Sequence, residues 1–359
     1  MNLPRAIVRS LGISKQDNVT IYFRPHTLKL AEETAEECFR KGADVLLNLY
    51  TDRYHKAYLT HLSEDNLKQP SDFCRVLTDT STAQIWMGQS YDPSFFKAIP
   101  PTKLAADNEG EHKAHSHPRH KGKVRWLSAR IGAVTKPRAK IYGLDYEKWR
   151  ATVNQSSLVD SKVLSKIGRK LASALNGAKK VTVAGPGGTN LRLSLKGRSA
   201  QIHDGMIDRS DLGKGLIYTE IPTGRVVIAP VETSAEGRAI FNCPIAWSGR
   251  TVRQLEWGFK HGRVIDFRGD SAAVALRRSW EKAEGDRDRI ACLTVGINPK
   301  VKLRCGLDTI ARGAISIGIG DNQDLKGRNR STFFQQGTIG HACLTADGKT
   351  LVKDGELFV

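Results

Sequence analysis

GPGGTNLRLSLKGRSAQIHDGMIDRSDLGKGLIYTEIPTGRVVIAPVETSAEG, residues 185–237, is the stretch of sequence around which the chain is arranged. The stretch is dense in glycine and poor in helix signals. Apolar and polar residues alternate in it with period two, so Leu191, Leu193 and Leu195 share one face of an extended chain. This alternation predicts a half-buried β-strand.

A proline-glycine turn follows and leads into a second strand. Pro222 fixes φ and Gly224 can take a positive φ, so the chain is expected to turn before RVVIAP. Arg225 therefore begins a strand, a position where side chains often form sites. Glu232 and Glu236 come next among small residues, which allow a ligand to approach closely. We expect this segment at the lip of a cavity.

The chain before this stretch alternates strands and helices. NVTIYF at 18–23 predicts a strand, the helical spacing of LKLAEETAEECFRKG at 28–42 predicts a helix, and ADVLLNLY at 43–50 predicts a continuous apolar strand. Such alternation is typical of parallel strands joined by right-handed crossovers. We therefore predict an α/β domain over residues 1–150, without the GxGxxG loop of dinucleotide-binding folds.

Residues 111–144 interrupt this pattern. They contain four histidines and nine lysines or arginines, with no acid after Glu111. Imidazoles bind zinc, copper or nickel, so a metal site at the four histidines is one interpretation. We favour a flexible basic crossing segment, because the spacing lacks a fixed tetrahedral pattern and Pro118 interrupts it. The four histidines are His112, His115, His117 and His120.

Linking helices within residues 144–177 lead into a β-rich second domain. Asp160 is expected to cap the second of these helices. Further on, TVRQLEWGFKHGRVIDFRG predicts a β-hairpin that turns at His261. Segments of β type continue to the end of the chain. We therefore predict a β-rich α+β domain over residues 151–359, and we expect it to carry the cavity.

The composition is that of a folded chain with a strong excess of positive charge. Its 359 residues, 40% of them hydrophobic, suffice for two domains with separate cores. The net charge of +19 suits an anionic partner, yet no helix-turn-helix, zinc finger or RNP-type strand occurs. Nucleic-acid binding is therefore not expected. The six cysteines are scattered without a CxxC pair, which indicates reduced thiols.

The sequence also bears on the location of the protein. No apolar run approaches 18 residues, so no membrane-spanning helix is expected. The N-terminal residues lack the apolar core and the cleavage site of a signal peptide. We expect a cytoplasmic protein that does not associate with membranes.

Several short motifs, spread over most of the chain, carry a resemblance to a known family. They are VTIYF, GADVLL, KIYGLDYEKW, GTNLRLSLKGR, IPTGRVVIAPVETSAEG, VGINPKV, GIGDN and DGKTLVKDGELF. In these motifs the chain resembles the M29 family of metal-dependent aminopeptidases and the related 2,5-dihydroxypyridine dioxygenases. The resemblance implies an α/β N-terminal domain and a β-rich C-terminal domain. It also implies a homodimer that encloses an internal cavity with a metal centre.

The resemblance implies, in addition, that the metal ligands of the family are replaced in this chain. The positions of two glutamates, a histidine, a tyrosine and a closing His-x-Asp pair hold, in this order, Arg225, Cys292, Ser316, Gln323, Phe334 and Gln336. Divalent cations need carboxylate oxygens and imidazole nitrogens to offset their desolvation, and a guanidinium opposes them. We therefore expect no metal ion and no other cofactor.

A binding protein that has lost the metal centre is the first functional hypothesis. Arg225 can form a bidentate pair with a carboxylate. This pairing suits a peptide or an amino-acid-derived ligand, the class that the family resemblance implies. Such a pseudoenzyme would fit a role in tailoring a natural product. The ligand cavity is predicted to contain Arg225, Ser316, Asn298, Asp321, Phe334, Gln336 and His203.

Two enzyme hypotheses stay open beside it. In a metal-free enzyme, Cys292 would be a nucleophile whose thiolate is stabilised by Arg225. Glu232, Asp321 or His203 would act as acid or base, and Ser316 would donate to a developing oxyanion. In a metal-dependent aminopeptidase or dioxygenase-like enzyme, the metal site would have shifted, with the histidines at 112–120 as its first candidates. The sequence offers no nucleophile-base pair at a defined spacing that would separate an enzyme from a binding protein.

Overall fold

The structure is a computed structural model that describes residues 2–116 and 124–359. The chain forms two compact units. The first unit contains Met1–Leu158 and Gly205–Thr223, and the second contains Val159–Asp204 and Gly224–Val359. The first division thus falls after Leu158 and not at the predicted residue 150. The segment 205–223, which we expected in the second domain, belongs to the first unit.

One parallel sheet forms the centre of the first unit. Its strands are β1 (Asn18–Phe23), β2 (Asp44–Leu49), β3 (Ala83–Met87), β4 (Arg125–Ala129) and β8 (Tyr218–Ile221). They lie in the order β2-β1-β3-β4-β8, and each neighbouring pair is parallel. The fifth strand, β8, therefore comes from a part of the sequence far beyond the other four.

The first unit also contains helices. They are α1 (Leu3–Ser10), α2 (Leu28–Phe39), α3 (Asp52–His61), α4 (Glu64–Leu67), α5 (Asp72–Thr80), α6 (Pro101–Ser116), α7 (Lys136–Tyr142), α8 (Tyr146–Ser157) and α10 (Arg209–Gly213). Ala31, Ala35 and Cys38 repeat at helical spacing along α2 and are buried with Ile21 and Ile85 of the sheet in one apolar core. The same core contains residues of α1.

The prediction of a flexible basic crossing at 111–144 is wrong for the described part of this segment, which contains the end of α6, the strand β4 and the helix α7. An inner strand of the sheet, β4, lies within this segment, because Leu127 and Ala129 alternate toward the apolar core. Lysines and arginines on both sides of β4 obscure this short alternation in the sequence. His117 and His120 lie outside the described residues, as do the side chains of His112 and His115.

The second unit is dominated by antiparallel sheets. Its strands are β5 (Val181–Gly185), β6 (Thr189–Leu193), β7 (Gln201–His203), β9 (Arg225–Ile228), β10 (Glu236–Phe241), β11 (Ile245–Trp247), β12 (Arg250–Val252), β13 (Leu255–Lys260), β14 (Arg263–Gly269), β15 (Ile290–Gly296), β16 (Ile315–Gly320), β17 (Phe334–Ile339), β18 (Cys343–Ala346), β19 (Lys349–Lys353) and β20 (Glu356–Leu357). Its helices are α9 (Ser161–Leu175) and α11 (Ala273–Lys282).

Three sheets arise from these strands. The largest has the order β14-β13-β10-β6-β5-β18-β19-β20, a second has the order β17-β16-β15-β9-β7, and β11 pairs with β12. The two larger sheets contribute to one apolar core, together with residues of α9 and α11. This core accounts for the burial of the leucines on β6.

Several local predictions for the second unit agree with the structure. Leu191 and Leu193 of β6 are buried, as the alternation predicts. Asp160 is the N-cap of α9, where its side chain accepts a hydrogen bond from the backbone N–H of Lys162. The β13–β14 hairpin turns at His261, which has a φ of +49°. The predicted pairing of an α/β domain with a β-rich domain is confirmed. Within the described residues, no helix is long and apolar enough to cross a membrane.

Candidate functional site

The sheet β17-β16-β15-β9-β7, here called the site sheet, has two chemically different faces. Successive residues of a strand point to opposite faces, so alternate residues build each face. One face is apolar and belongs to the core of the second unit. It contains Val226, Ile228, Leu293, Val295, Ile315, Ile317 and Ile339. The opposite face, here called the site face, carries most of the residues that the sequence analysis singled out.

The strand register brings these residues together. Arg225 lies opposite both His203 and Gly296. Cys292 lies opposite Gly318, which in turn lies opposite Gln336. Phe334 lies opposite Gly320 and Ser316 opposite Thr294, so both belong to the same face. The predicted residues that share the site face are thus His203, Arg225, Cys292, Ser316, Phe334 and Gln336.

A row of hydroxyl groups crosses the centre of the site face. Thr294, Ser316 and Thr338 are directly opposite one another on three neighbouring strands, and all three are buried. The hydroxyls of Ser316 and Thr338 are hydrogen bonded at 2.8 Å. The sequence analysis missed Thr294 and Thr338. Each stands two residues after a selected residue of the same strand, and that spacing could have identified them.

Cys292 is enclosed by its neighbours on the site face. Its side chain is 1% exposed, and burial raises the pKa of the thiol to about 11, against the opposing effects of the Thr294 hydroxyl and the Arg225 charge. A Cβ atom added at Gly318 would lie 2.6 Å from the Cys292 sulfur and 3.3 Å from Cε2 of Phe334. The sulfur and the edge of this ring therefore both lie over Gly318. At neutral pH Cys292 is a thiol, which is a poor nucleophile.

The position of Arg225 depends on the glycine before it. Gly224 has a φ of +127°, and a Cβ atom there would lie 2.9 Å from Cβ of Asn298 and 3.1 Å from Cδ2 of Leu164. A side chain at residue 224 would be strained and would clash, so β9 can begin here only with glycine. Asn298 is buried beyond the end of β15, and its Oδ1 accepts a hydrogen bond of 3.0 Å from the backbone N–H of Lys300. It supports the start of β9.

Asp321 organises the loop that follows β16. Its two carboxylate oxygens accept hydrogen bonds of 3.3 Å from the backbone N–H groups of Gln323 and Ser331. The loop is held further by Asn329, whose Nδ2 donates to the carbonyl oxygens of Ile290 and Gly320 at 2.9 Å. Asp321 therefore lies at the rim of the site sheet, beyond the end of the strand.

Glu232 lies outside the site face and has structural partners of its own. Its Oε1 accepts a hydrogen bond of 2.7 Å from the backbone N–H of Arg328, and its Oε2 forms an ion pair with Arg198. Burial opposes ionisation of this carboxyl, but the Arg328 N–H and the Arg198 guanidinium outweigh it and lower the pKa of Glu232. Arg198 was not selected from the sequence. The pair joins separate segments of the second unit.

The side chains on the site face do not suit a pair of divalent cations. Within residues 2–116 and 124–359, no three His, Cys, Asp or Glu side chains come together in a way that could hold a metal ion. At the ligand positions that the resemblance implies, Arg225 brings a positive charge and Phe334 has no lone pair. A guanidinium repels a cation, and neutral hydroxyl or amide oxygens are weak ligands for zinc.

Comparisons with known proteins agree with this architecture. A family model described as thermophilic metalloprotease (M29) matches residues 5–288. The structure of wild-type AmpT from Thermus thermophilus is similar, with a TM-score of 0.74, 16% identity, and coverage of 99% of this chain and 98% of that chain. The 2,5-dihydroxypyridine dioxygenase from Pseudomonas putida KT2440 is also similar, with a TM-score of 0.61, 12% identity, and coverage of 99% and 97%. No curated protein matches the sequence significantly.

Proposed function

This chain belongs to the M29 peptidase family, and from that premise we propose that it binds a peptide or an amino-acid-derived ligand on the site face without a metal ion. One observation carries the proposal. Arg225 occupies the position where the family resemblance implies a metal-binding glutamate, and it shares the site face with polar and aromatic groups suited to a peptide. The scaffold of a peptidase thus presents a guanidinium in place of a metal ligand.

Each group on the site face supplies one part of such recognition. The Arg225 guanidinium can hold a carboxylate by two parallel hydrogen bonds. Phe334 is 50% exposed, so its ring can cover an apolar side chain of the ligand. The Gln336 amide, two residues further along β17, can donate to or accept from a peptide group. A peptide with a free C-terminal carboxylate would contact all three groups, the guanidinium, the ring and the amide.

The surroundings of Cys292 favour binding over metal-free catalysis. A nucleophilic cysteine needs an accessible thiolate and a nearby base. Cys292 is buried with a raised pKa, while Glu232 is occupied by Arg198 and the Arg328 backbone. The protein we propose is therefore a pseudoenzyme within its family. Such a binder would suit the tailoring of a peptide natural product, in which a partner enzyme supplies the chemistry.

The proposal is tested with carboxylate-bearing ligands and their neutral counterparts. The probes are dipeptides with a C-terminal aromatic residue and the same dipeptides as C-terminal amides, measured by isothermal titration calorimetry. We expect the acids to bind and the amides to bind at least tenfold more weakly, because a charge-assisted hydrogen bond contributes about 1.5–3 kcal/mol. Arg225→Met should weaken binding of the acids to the same extent.

A matched control makes this test specific. Arg268→Met removes an exposed guanidinium from β14 in the same unit and should leave binding unchanged. Equal affinity for acids and amides, or unchanged binding by Arg225→Met, would contradict the proposed role of the guanidinium. Elemental analysis of untagged protein purified without chelator accompanies the titration. Near-stoichiometric zinc, manganese or iron would instead favour a metal-dependent enzyme with a shifted site.

A further inference from the structure

Residues 161–203 carry a concentration of positive charge that the proposed function does not use. They contain six lysines and three arginines, and no aspartate or glutamate. The whole chain has 56 lysines and arginines against 37 aspartates and glutamates. This one segment of the second unit therefore contributes nine of the 19 net positive charges.

The helix α9 presents much of this charge on its outer side. Its inner side is apolar and packs into the core of the second unit through residues such as Leu164 and Leu171. Lys162, Lys166 and Lys170 repeat every four residues and are exposed, so they lie on one side of the helix. The rise of the helix spaces them about 6 Å apart along its axis. Because α9 has no acidic residue, none of these lysines has an ion-pair partner on the helix.

Further lysines extend the charge beyond the C-terminal end of α9. The loop after β6 runs beside this end, since the backbone N–H of Leu195 donates to the carbonyl oxygen of Ala178 at 2.8 Å. The exposed Lys196 therefore lies beside the exposed Lys179 and Lys180. The negative end of a helix dipole also favours cations at this place. The basic surface, as we call it here, consists of Lys162, Lys166, Arg169, Lys170, Lys179, Lys180 and Lys196.

Acidic residues beside this segment have partners other than the side chains of the basic surface. Asp160 caps α9 and accepts a hydrogen bond of 2.9 Å from a backbone N–H of its first turn. Asp347 accepts hydrogen bonds from the backbone N–H groups of residues 179 and 180. Glu232 pairs with Arg198. The lysine side chains of the basic surface thus stay available to an anionic partner.

The composition of the basic surface indicates the chemistry of that partner. Lysine is depleted in protein–protein interfaces, whose centres are apolar and aromatic. Residues 161–203 contain no Phe, Tyr or Trp, so no such ring is available to stack on unpaired bases. The apolar side of α9 is buried in the core, so it is not available for insertion into a membrane. A nucleic-acid duplex, with its dense rows of phosphates, fits these features best.

The shape of α9 favours a DNA duplex over an RNA duplex. Its 15 residues form a helix about 22 Å long. The major groove of B-DNA is about 12 Å wide and admits an α-helix, whereas the major groove of an RNA duplex is deep and narrow. The sequence analysis expects no nucleic-acid partner because no recognition motif occurs. Contacts made to phosphates alone need no such motif.

We propose that the basic surface binds double-stranded DNA through its phosphates, without regard to base sequence. The exposed side of α9 lies along the major groove, and the lysines beyond its C-terminal end extend the contact along the backbone. The release of counterions condensed on the DNA drives such binding, so the affinity falls steeply as the salt concentration rises. This binding is separate from the ligand binding proposed for the site face and does not depend on it.

Removal of three charges from α9 tests the proposal. The probe is a fluorescent DNA duplex of about 20 base pairs and mixed sequence, and its binding is followed by anisotropy. Wild-type protein should bind it with a Kd in the micromolar range at about 50 mM salt. The triple variant Lys162→Gln, Lys166→Gln, Lys170→Gln should bind at least tenfold more weakly. Its slope of log K against log salt should be smaller by about three, because each phosphate contact contributes about 0.9. Circular dichroism checks that it is folded.

A second triple variant is the matched control. Lys260→Gln, Lys282→Gln, Lys302→Gln removes the same charge from exposed positions on other segments of the second unit and should bind nearly as well as wild type. An equal loss of affinity in the two triple variants would overturn the proposal, because diffuse charge would then explain the binding. Absence of binding by wild-type protein at low salt would also overturn it. So would tighter binding of an RNA duplex of the same sequence, or of poly-glutamate as a model of an acidic protein.

Chemical labelling of lysines adds a measurement on unmodified protein. Bound DNA should slow the acetylation of Lys162, Lys166 and Lys170 severalfold, while Lys260 and Lys282 should react at the same rate with and without DNA. Peptide mass spectrometry reads both sets in one sample. Equal protection of the two sets of lysines, or no protection of either, would overturn the assignment of the contact to the basic surface.

Discussion

The two faces of the site sheet are built from the same strands, yet one face packs into the apolar core and the other carries the candidate site residues. On β15, Leu293 and Val295 pack into the core, while Cys292 and Thr294 lie on the site face. Because the faces alternate residue by residue, substitutions on one face leave the packing of the other in place. A chain can thus change many residues and keep its fold, and this chain shares the fold of AmpT, with a TM-score of 0.74, at 16% sequence identity.

The largest expected difference between the faces concerns stability. Ile317 is fully buried on the core face of β16, so Ile317→Ala should lower the free energy of unfolding by about 2–5 kcal/mol. Phe334→Ala removes a larger side chain from the site face, but this ring is half exposed and should cost less. Urea unfolding of both variants measures the two losses of unfolding free energy. A loss of unfolding free energy in Phe334→Ala that matches or exceeds the loss in Ile317→Ala would contradict the expected difference between the two faces.

The second prediction concerns the reactivity of Cys292. A pKa of about 11 in place of the usual 9 leaves about a hundredfold less thiolate at neutral pH. Alkylation of Cys292 by iodoacetamide should therefore be at least a hundredfold slower in the folded protein than in urea, as measured by peptide mass spectrometry. The partly exposed Cys343 serves as the internal control. Fast labelling of Cys292 in the folded protein would return the nucleophile hypothesis to consideration.

The third prediction tests the hydroxyl row. Ser316→Ala leaves the buried Thr338 hydroxyl without the partner it has at 2.8 Å, which should cost about 1–3 kcal/mol of unfolding free energy. Adding Thr338→Val removes the orphaned hydroxyl, so the double variant should recover part of the loss. Additive losses in the two single variants and the double variant would show that the two hydroxyls do not depend on each other.

The smallest expected effect concerns Glu232, outside the site face. Its pKa is lower in the folded chain than in the unfolded chain, so its stabilising effect is complete above the unfolded value near 4.5. The effect is lost as the pH falls through the lower folded value. Glu232→Gln should therefore be less stable than wild type at pH 7, by about 1 kcal/mol or less, and the difference should disappear in acid.

A surface control separates this effect from general acid unfolding. Glu281→Gln removes one partner of an exposed ion pair on α11 and should change stability little at any pH. Denaturant midpoints between pH 3 and pH 7 provide the measurement. A stability difference between Glu232→Gln and wild type that grows as the pH falls would have the wrong sign.

Local signals made the strands and the helix caps predictable from the sequence. The alternation of Leu191 and Leu193 depends only on neighbours two residues apart, and the capping by Asp160 depends on the first turn of its helix. The residues in these interactions are close together in the sequence, so the local residue pattern predicts them. The same holds for the turn at His261, where a tight hairpin joins adjacent strands.

Features set by distant contacts were missed. The sequence alone does not show that β8 joins a sheet whose other strands end before residue 130, or that the apolar strand β2 lies at an edge. Thr294 and Thr338 were missed because the sequence analysis followed single positions and not alternate residues of the same strand; the register of three strands then brings the two threonines into one row with Ser316. The alignment of single ligand positions selected Cys292 and Gln336 but not the threonines two residues further along the same strands.

Residues 205–223 belong to the first unit although they follow a segment of the second unit, and this order has a consequence for biosynthesis. The parallel sheet is complete only when β8 has been synthesised, and α9 and the first strands of the second unit are synthesised before it. A nascent chain that ends near residue 158 would present β4 as an open edge, a template for association with other chains. Residues 1–158 alone should therefore fail to fold as a separately expressed fragment, whereas a fragment that also retains residues 205–223 carries every strand of the parallel sheet.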